Sequence, residues 1–485
     1  MCFCCLFGWW RGVWCCVMSG LNKVLSSVAV KGLGWRFWGG LVAVAAGLRY
    51  LVAFVVFGDM PLAADPQDYS DLAASFLERF PPPEYFYWPP GNTMVLSLVY
   101  AVFGVDVAVT RGLLLALGVV AVVLVTLIAA EVTGAAAARY AGWLSAVYGP
   151  ALMLSGQPYS HHLAACCILG IAYFGMRAAR EHRPLFYLLT GVALGLGVLT
   201  RPSLLSVTPV LFVALVAVVA QRYRARDMAA LRRVGVGAAL FMVTVIGLVL
   251  PVMAHNHGVG AGWVVSTNNE RNFFLGNNPY TPHYKTWHFA SRPDVTTLEP
   301  EIRDYLVGFY QQDDKREAMK QAALAYIAGH PGITLYRTLN RIRAFWGFDY
   351  VASREIEKYY GWGVAALGAM LIVEAGGYIA TMALVLVGVV CFWRQIRHRV
   401  WAWWLIALVL MYAFPYMLAF SNGFYHYAPM WLLIPFAGLA VANFVGHGVA
   451  TAALRCAAAN RWLWLAMGVL VFIQLEYAYQ LFVFA

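Results

Sequence analysis

Eleven stretches of this chain are too long and too apolar to face water, at roughly 38–57, 112–131, 140–155, 161–177, 185–200, 203–220, 233–254, 371–392, 400–420, 425–446 and 462–482. Crossing a hydrocarbon core about 30 Å thick takes a helix of about 20 residues. Inside that core the backbone must satisfy its own hydrogen bonds, which leaves only helices and closed barrels. The runs are continuous rather than alternating, so they read as helices. At 62% hydrophobic and 12% charged, the composition lies far from the about 25% charge of soluble domains. The expected fold class is an all-α polytopic membrane protein, a bundle of about eleven transmembrane helices.

A twelfth run, 92–105 (NTMVLSLVYAVFGV), is short. Its uninterrupted core would span only about 18 Å as a helix. Charge decides its place, because cytoplasmic connections are enriched in Lys and Arg. If 92–105 lies in the interface without crossing, the basic connections all fall on one side. These are Lys23/Lys31/Arg36, Arg139, Arg177/Arg180/Arg183, Arg222 to Arg233, Arg394/Arg397/Arg399 and Arg455/Arg461. The net charge of +11 then reports topology and not nucleic-acid binding. No zinc-finger spacing, P-loop or dinucleotide fingerprint occurs.

Four segments follow from this threading: a cytoplasmic or interfacial 1–37, a transmembrane module 38–254 with a first outer loop 58–111, an outer region 255–370, and C-terminal spans 371–485. The opening MCFCCLFGWWRGVWCCVMSG lacks the basic start and small-residue cleavage site of a signal peptide. It reads either as an interfacial piece or as sequence upstream of a start at Met18. The nine cysteines cluster there or lie in and beside apolar runs, and none falls in 255–363 to staple the outer region.

The outer loop 58–111 holds seven acids and two bases, three of the acids within ADPQDYSDLA. After Ser70, the residues Leu72, Ala73, Phe76, Leu77 and Phe80 repeat at helical spacing, so a surface helix is expected to follow Asp65 and to end at Pro81-Pro82-Pro83. The stretch ITLYRTLNRIRAFWGF puts Ile333, Tyr336, Leu339, Ile342 and Trp346 on one face, with Arg337 and Arg341 offset toward phosphates. His161-His162 and His255-x-His257 lack carboxylates at ligand spacing, so no metal ligands are assigned and no cofactor is required, a divalent metal being the one conceivable addition.

At these residues the sequence resembles the GT-C superfamily of membrane glycosyltransferases, most of all bacterial relatives of protein O-mannosyltransferases and lipid A aminoarabinose transferases. Asp65, Tyr69 and Ala73 fit that family's D-x-x-x-Y-x-x-x-A, and WPPGNTMVLSLVYAVFG resembles its juxtamembrane helix. GVALGLGVLTRPSLL, NNERNFFLGNNP and HYAPMWLLIPFAGLA are similar to later family stretches, with His161 where an acid is common and His255 and His426 where Arg is common.

The resemblance implies transfer of a sugar from a polyprenyl-phosphate donor to a hydroxyl of a lipid, glycan or protein acceptor, with inversion. It implies an active site on the periplasmic face of a bacterial-type inner membrane, with membrane lipids and no nucleic acid as further partners. Asp65 is then the expected general base, with Asp68 second in line and Asp71 a helix-start residue. Tyr69, Arg201, Arg341, Arg343, Asn277 and Asn278 are the expected substrate contacts, the arginines for phosphate. Arg49 and Glu374, charges inside apolar runs, read as functional or as snorkelling to the interface. Two rivals are a transporter or flippase of lipid-linked sugars, which would place broken polar helices at the midplane, and a polymerase or ligase using a lipid-diphosphate donor.

Overall fold

A computed structural model of the chain describes residues 32–283, 298–310, 315–448, 456 and 461–483. The expectations for residues 1–31, and the side given to Arg455, fall outside these. The helices in chain order are α1 Gly34–Tyr50, α2 Asp65–Glu78, α3 Gly91–Phe103, α4 Val107–Val132, α5 Ala135–Ala146, α6 His161–Glu181, α7 Pro184–Thr200, α8 Thr208–Arg224, α9 Met228–Gly258 and α10 Asn268–Gly276. They continue as α11 Pro300–Tyr310, α12 Lys315–Gly329, α13 Pro331–Phe345, α14 Val351–Tyr360, α15 Val364–Leu371, α16 Gly377–Ile396, α17 Val400–Leu418, α18 Tyr427–His447 and α19 Arg461–Val483.

Among the described residues, nine helices are long and apolar enough to cross a membrane. The two other expected spans differ in form. Helix α7 has 17 residues, about 25 Å of rise. The run 140–155 is broken: α5 stops at Ala146, and a short helix restarts at Gly149-Pro150. The break is possible because its loose carbonyls have a partner on another helix. The buried Arg49 of α1 donates from Nη1 to the carbonyls of Ala45 at 3.1 Å and Ala146 at 3.3 Å, and from Nη2 to that of Ser145 at 3.5 Å. A cation at a helix C-terminus also suits the helix dipole. Arg49 is thus a cap that does not snorkel. Glu374 is likewise buried: its carboxylate accepts from the N–H groups of Ala352 (3.1 Å) and Ser353 (2.8 Å), holding the start of α14 to the π-helical turn Ile372–Gly376.

Helix α18 runs through the centre of the bundle, with Ala428, Met430, Trp431, Ile434, Phe436 and Ala437 buried. Close approach is bought by small residues. A Cβ on Gly388 of α16 would stand 2.0 Å from the Phe436 carbonyl, and one on Gly438 2.6 Å from that of Ala137.

The basic connections do meet at one end. Arg139 donates to the Gly32 carbonyl, Arg180 pairs with Glu131, and Arg399 donates to the Val132 carbonyl. At the other end, Arg111 near the start of α4 donates to the carbonyls of Gly58 (2.5 Å) and Met60 (2.6 Å). The chain therefore leaves α1 and enters α4 at the same end, and the 13-residue α3 does not cross. A run of hydroxyls, Ser70–Tyr100 at 2.7 Å and Tyr100–Thr110 at 2.6 Å, ties α2 to α3 and α4.

Cys391 and Cys456 are paired as a disulfide, a bridge their positions in the sequence did not announce.

Candidate active site

Helix α2 begins at Asp65 itself instead of following it, because Pro66 suits the first turn and Asp65 and Asp68 favour a helix N-terminus. Just before it Ala64 has φ +52°, a conformation that costs a residue with a side chain about 1–3 kcal/mol. That strain sits beside the residue expected to do the chemistry. Tyr69, one turn on, is buried with its ring 6.1 Å from that of Trp88.

Arg201 separates α7 from the 3-10 turn Pro202–Val207. A residue before proline is pushed out of helical geometry, and Arg201 is extended at φ −147°, ψ 107°. The bend carries its guanidinium across to α6 and α17. Nε donates to the Tyr416 hydroxyl at 3.1 Å, and Nη1 to Ser160 Oγ at 3.2 Å and His161 Nε2 at 2.8 Å. A guanidinium only donates, so that nitrogen of His161 is an acceptor and carries no proton. The rings of Tyr416 and Tyr425 lie 5.9 and 5.3 Å from the guanidinium carbon, in cation–π range. Nη2 has no hydrogen-bond partner among the described residues.

Asp65, Tyr69, Trp88, His161, Arg201 and Tyr425 line one cavity of about 480 Å³. Asn268, Asn269 and Asn272 add amides to its wall. The low-polarity walls raise the Asp65 pKa above the usual carboxylate value, Asp68 raises it further, and Arg201 opposes both. Arg201 is therefore close enough for its charge to act on Asp65.

Other expected contacts lie elsewhere. On α13 the expected apolar stripe faces outward at Tyr336, Leu339 and Ile342, while Arg337, Arg341 and Arg343, expected toward phosphates, are buried in the fold. Arg341 donates to the carbonyls of Met417 (3.2 Å), Leu418 (3.1 Å) and Gly276 and to Asn277 Oδ1. Arg343 pairs with Glu476. Asn277 bonds the Phe273 and Leu418 carbonyls, and Asn278 those of Phe274 and Leu275. None of these four lines the cavity. Asp71 is exposed and accepts from Gln67 at 2.6 Å.

Ser160, Tyr416 and Tyr425 were missed. Only Tyr425 had a signal, sitting one residue before the HYAPMW stretch.

The histidine pairs divide. His162 bonds the Leu154 carbonyl and the Tyr427 hydroxyl, His255 the Glu84 carbonyl, and His426 the Phe345 carbonyl. Among the described residues, no three of His, Cys, Asp and Glu come together as metal ligands do.

A helical bundle with an acid and an arginine facing one cavity defines the class: a multi-pass membrane protein with a polar cavity at one end. Residues 88–247 match the family described as dolichyl-phosphate-mannose-protein mannosyltransferase. The match covers about a third of the chain and is a likeness to that family over this stretch. The matched stretch contains Trp88, His161 and Arg201, while Asp65 and Tyr69 precede it.

No curated protein matches the chain. Among solved structures, it is similar to an Archaeoglobus fulgidus oligosaccharyltransferase in complex with Zn and sulfate, at 15% identity and TM-score 0.49, over 90% of this chain and 52% of that one. A second structure of the same enzyme, tethered to an acceptor peptide, gives 15%, 0.46, 91% and 54%. The chain thus spans about half the length of these relatives. ArnT from Cupriavidus metallidurans bound to undecaprenyl phosphate is similar at 15% identity and TM-score 0.37, over 86% of this chain and 79% of that one.

Proposed function

We propose that this protein transfers a sugar from a polyprenyl-phosphate donor to an acceptor hydroxyl, with inversion, at the outer face of a bacterial-type inner membrane. The observation that carries this reading is the cavity itself. It lies at the end of the bundle away from the basic connections and holds the Asp65 carboxylate and the Arg201 guanidinium, whose Nη2 is unengaged.

In the transfer, the Asp65 carboxylate takes the acceptor proton as the acceptor oxygen bonds to the anomeric carbon. The carbon–oxygen bond to phosphate breaks on the opposite face of the sugar. The polyprenyl phosphate departs with that electron pair, and Arg201 donates N–H to the oxygens that gain charge. A carboxylate with a raised pKa is a stronger base while it stays ionised near neutral pH. Asn268, Asn269 and Asn272 offer amide groups to sugar hydroxyls. One arginine in the cavity wall suits a monophosphate better than the larger charge of a diphosphate. The position of the cavity at one end, and the use of Arg49 as a helix cap, favour an enzyme over a transporter.

The test is Asp65→Asn in purified protein with a panel of polyprenyl-phosphate sugars. Donor binding should persist while transfer falls about 10²–10⁴-fold, the range for a positioned base. Wild-type transfer by Asp65→Asn, with Asp68→Asn inactive, would move the base one turn along α2. Full activity in both variants would remove a carboxylate base from this loop.

A further inference from the structure

A second large concavity lies at the basic end, away from the active site. It is a groove of about 960 Å³ between the end of α6, the length of α8 and the start of α17. Along α8 its floor is Val210, Val213, Ala214 and Ala217, spaced as one helix face. Tryptophans at positions 401, 403 and 404 form the facing wall, and Trp403 is 54% exposed. The floor stops at Gln221 and Arg222, with Arg180 of α6 beside them.

The groove is apolar along its length and cationic at one end. Pro209 and Arg222 are about 20 Å apart along the helix, enough to cover the hydrocarbon depth of one leaflet, about 15 Å. Among the described residues Arg222 Nε has no hydrogen-bond partner, and its ion pair with Asp227 is loose, 3.9 Å from Nη1. Arg180 shares its Nη1 with Glu131 yet keeps half its side chain exposed. Two forked cations at the mouth of an apolar channel match a phosphodiester above an acyl chain. Basic pockets between transmembrane helices on the cytoplasmic side recognise anionic headgroups in this way.

We propose that this groove binds an anionic glycerophospholipid of the leaflet at the basic end. Its phosphate sits on Arg222 and Arg180, and one acyl chain lies along Val210, Val213, Ala214 and Ala217 between α8 and α17. The donor is not this occupant, because its phosphate has to reach Arg201 at the opposite end of α8.

Native mass spectrometry of the full-length protein, released from nanodiscs of equal phosphatidylglycerol and phosphatidylcholine, tests this. Wild type should retain phosphatidylglycerol in preference to phosphatidylcholine. The double variant Arg180→Gln/Arg222→Gln should lose the preference at least tenfold. Ala214→Phe, which fills the groove and leaves both charges, should lose it as well. Arg394→Gln/Arg397→Gln, at the same end outside the groove, should keep it. Equal retention of phosphatidylcholine, or an adduct with the mass of a polyprenyl phosphate, would overturn the proposal. So would a mass doubled by a second copy of the chain, or equal loss in the Arg394/Arg397 variant. Size-exclusion profiles matching wild type distinguish loss of the lipid from loss of the fold.

Discussion

Arg201 and Arg341 reach the same turn at the end of α17 from two sides and use it differently. Arg201 bonds side chains there and nearby, Tyr416, Ser160 and His161, and keeps a nitrogen unengaged at a cavity wall. Arg341 bonds the backbone carbonyls of residues 417 and 418 and joins them to the turn at Gly276. An arginine committed to carbonyls closes a fold, because each carbonyl would otherwise be buried without a donor. An arginine held by hydroxyls and rings, with one edge left over, can still receive a ligand.

The sharpest way to break this contrast is to remove Arg341. Arg341→Ala strands several buried acceptors at about 1–3 kcal/mol each, so unfolding in detergent should come roughly 3 kcal/mol earlier or more, and Arg341→Lys should recover little of it. Wild-type thermal stability in Arg341→Ala would make it a free ligand group like Arg201. Next in size is Arg201→Ala, which should leave stability near wild type and weaken donor binding by about 1–3 kcal/mol, the scale of a charged hydrogen bond. Arg201→Lys keeps the charge without the planar fork and should fall between the two. Unchanged donor affinity in Arg201→Ala would reduce this residue to a brace as well.

The smallest effect is on pH dependence. As the proposed base Asp65 has to be a carboxylate, so transfer should fall as pH drops through its raised pKa. Asp68 adds to that raise and Arg201 counters it. The acid limb of the pH–rate profile should therefore move to lower pH in Asp68→Asn and to higher pH in Arg201→Ala. The native state also binds this proton more tightly than the unfolded chain does, so the contribution of Asp65 to stability is lost as pH rises through its folded pKa. An acid limb that stays put in Asp68→Asn would mean that another group limits the rate.

The long apolar spans were legible because hydropathy and length alone determine them. So was the short α3, once charge was counted. The break after Ala146 was not, since the arginine that permits it lies on a different helix. The burial of the α13 arginines escaped for a related reason. Beside an apolar stripe they were read as set toward phosphates, but Arg341 finds its acceptors on carbonyls from distant parts of the chain. Asp65, Tyr69 and Arg201, singled out through their motifs, do line one cavity together. In NNERNFFLGNNP, Asn277 and Asn278 carried the turn, while Asn268, Asn269 and Asn272 of the same stretch face the cavity. Nothing local distinguishes these asparagines. Tyr416 matters only because α17 brings its last turn to Arg201.

The Arg49 cap bears on how the chain is made. Its acceptors at Ser145 and Ala146 lie almost a hundred residues downstream, so α1 leaves the ribosome with a charge that has only the Ala45 carbonyl of its own helix to bond. An arginine at the centre of an isolated helix costs about 2.5–3.5 kcal/mol during membrane insertion. Helix α1 should thus wait at the insertion machinery, or sit shallow in the bilayer, until α5 has been synthesised and offers its open carbonyls. Chains truncated before residue 146 should hold α1 less firmly than chains truncated after it, and Arg49→Leu should abolish the difference.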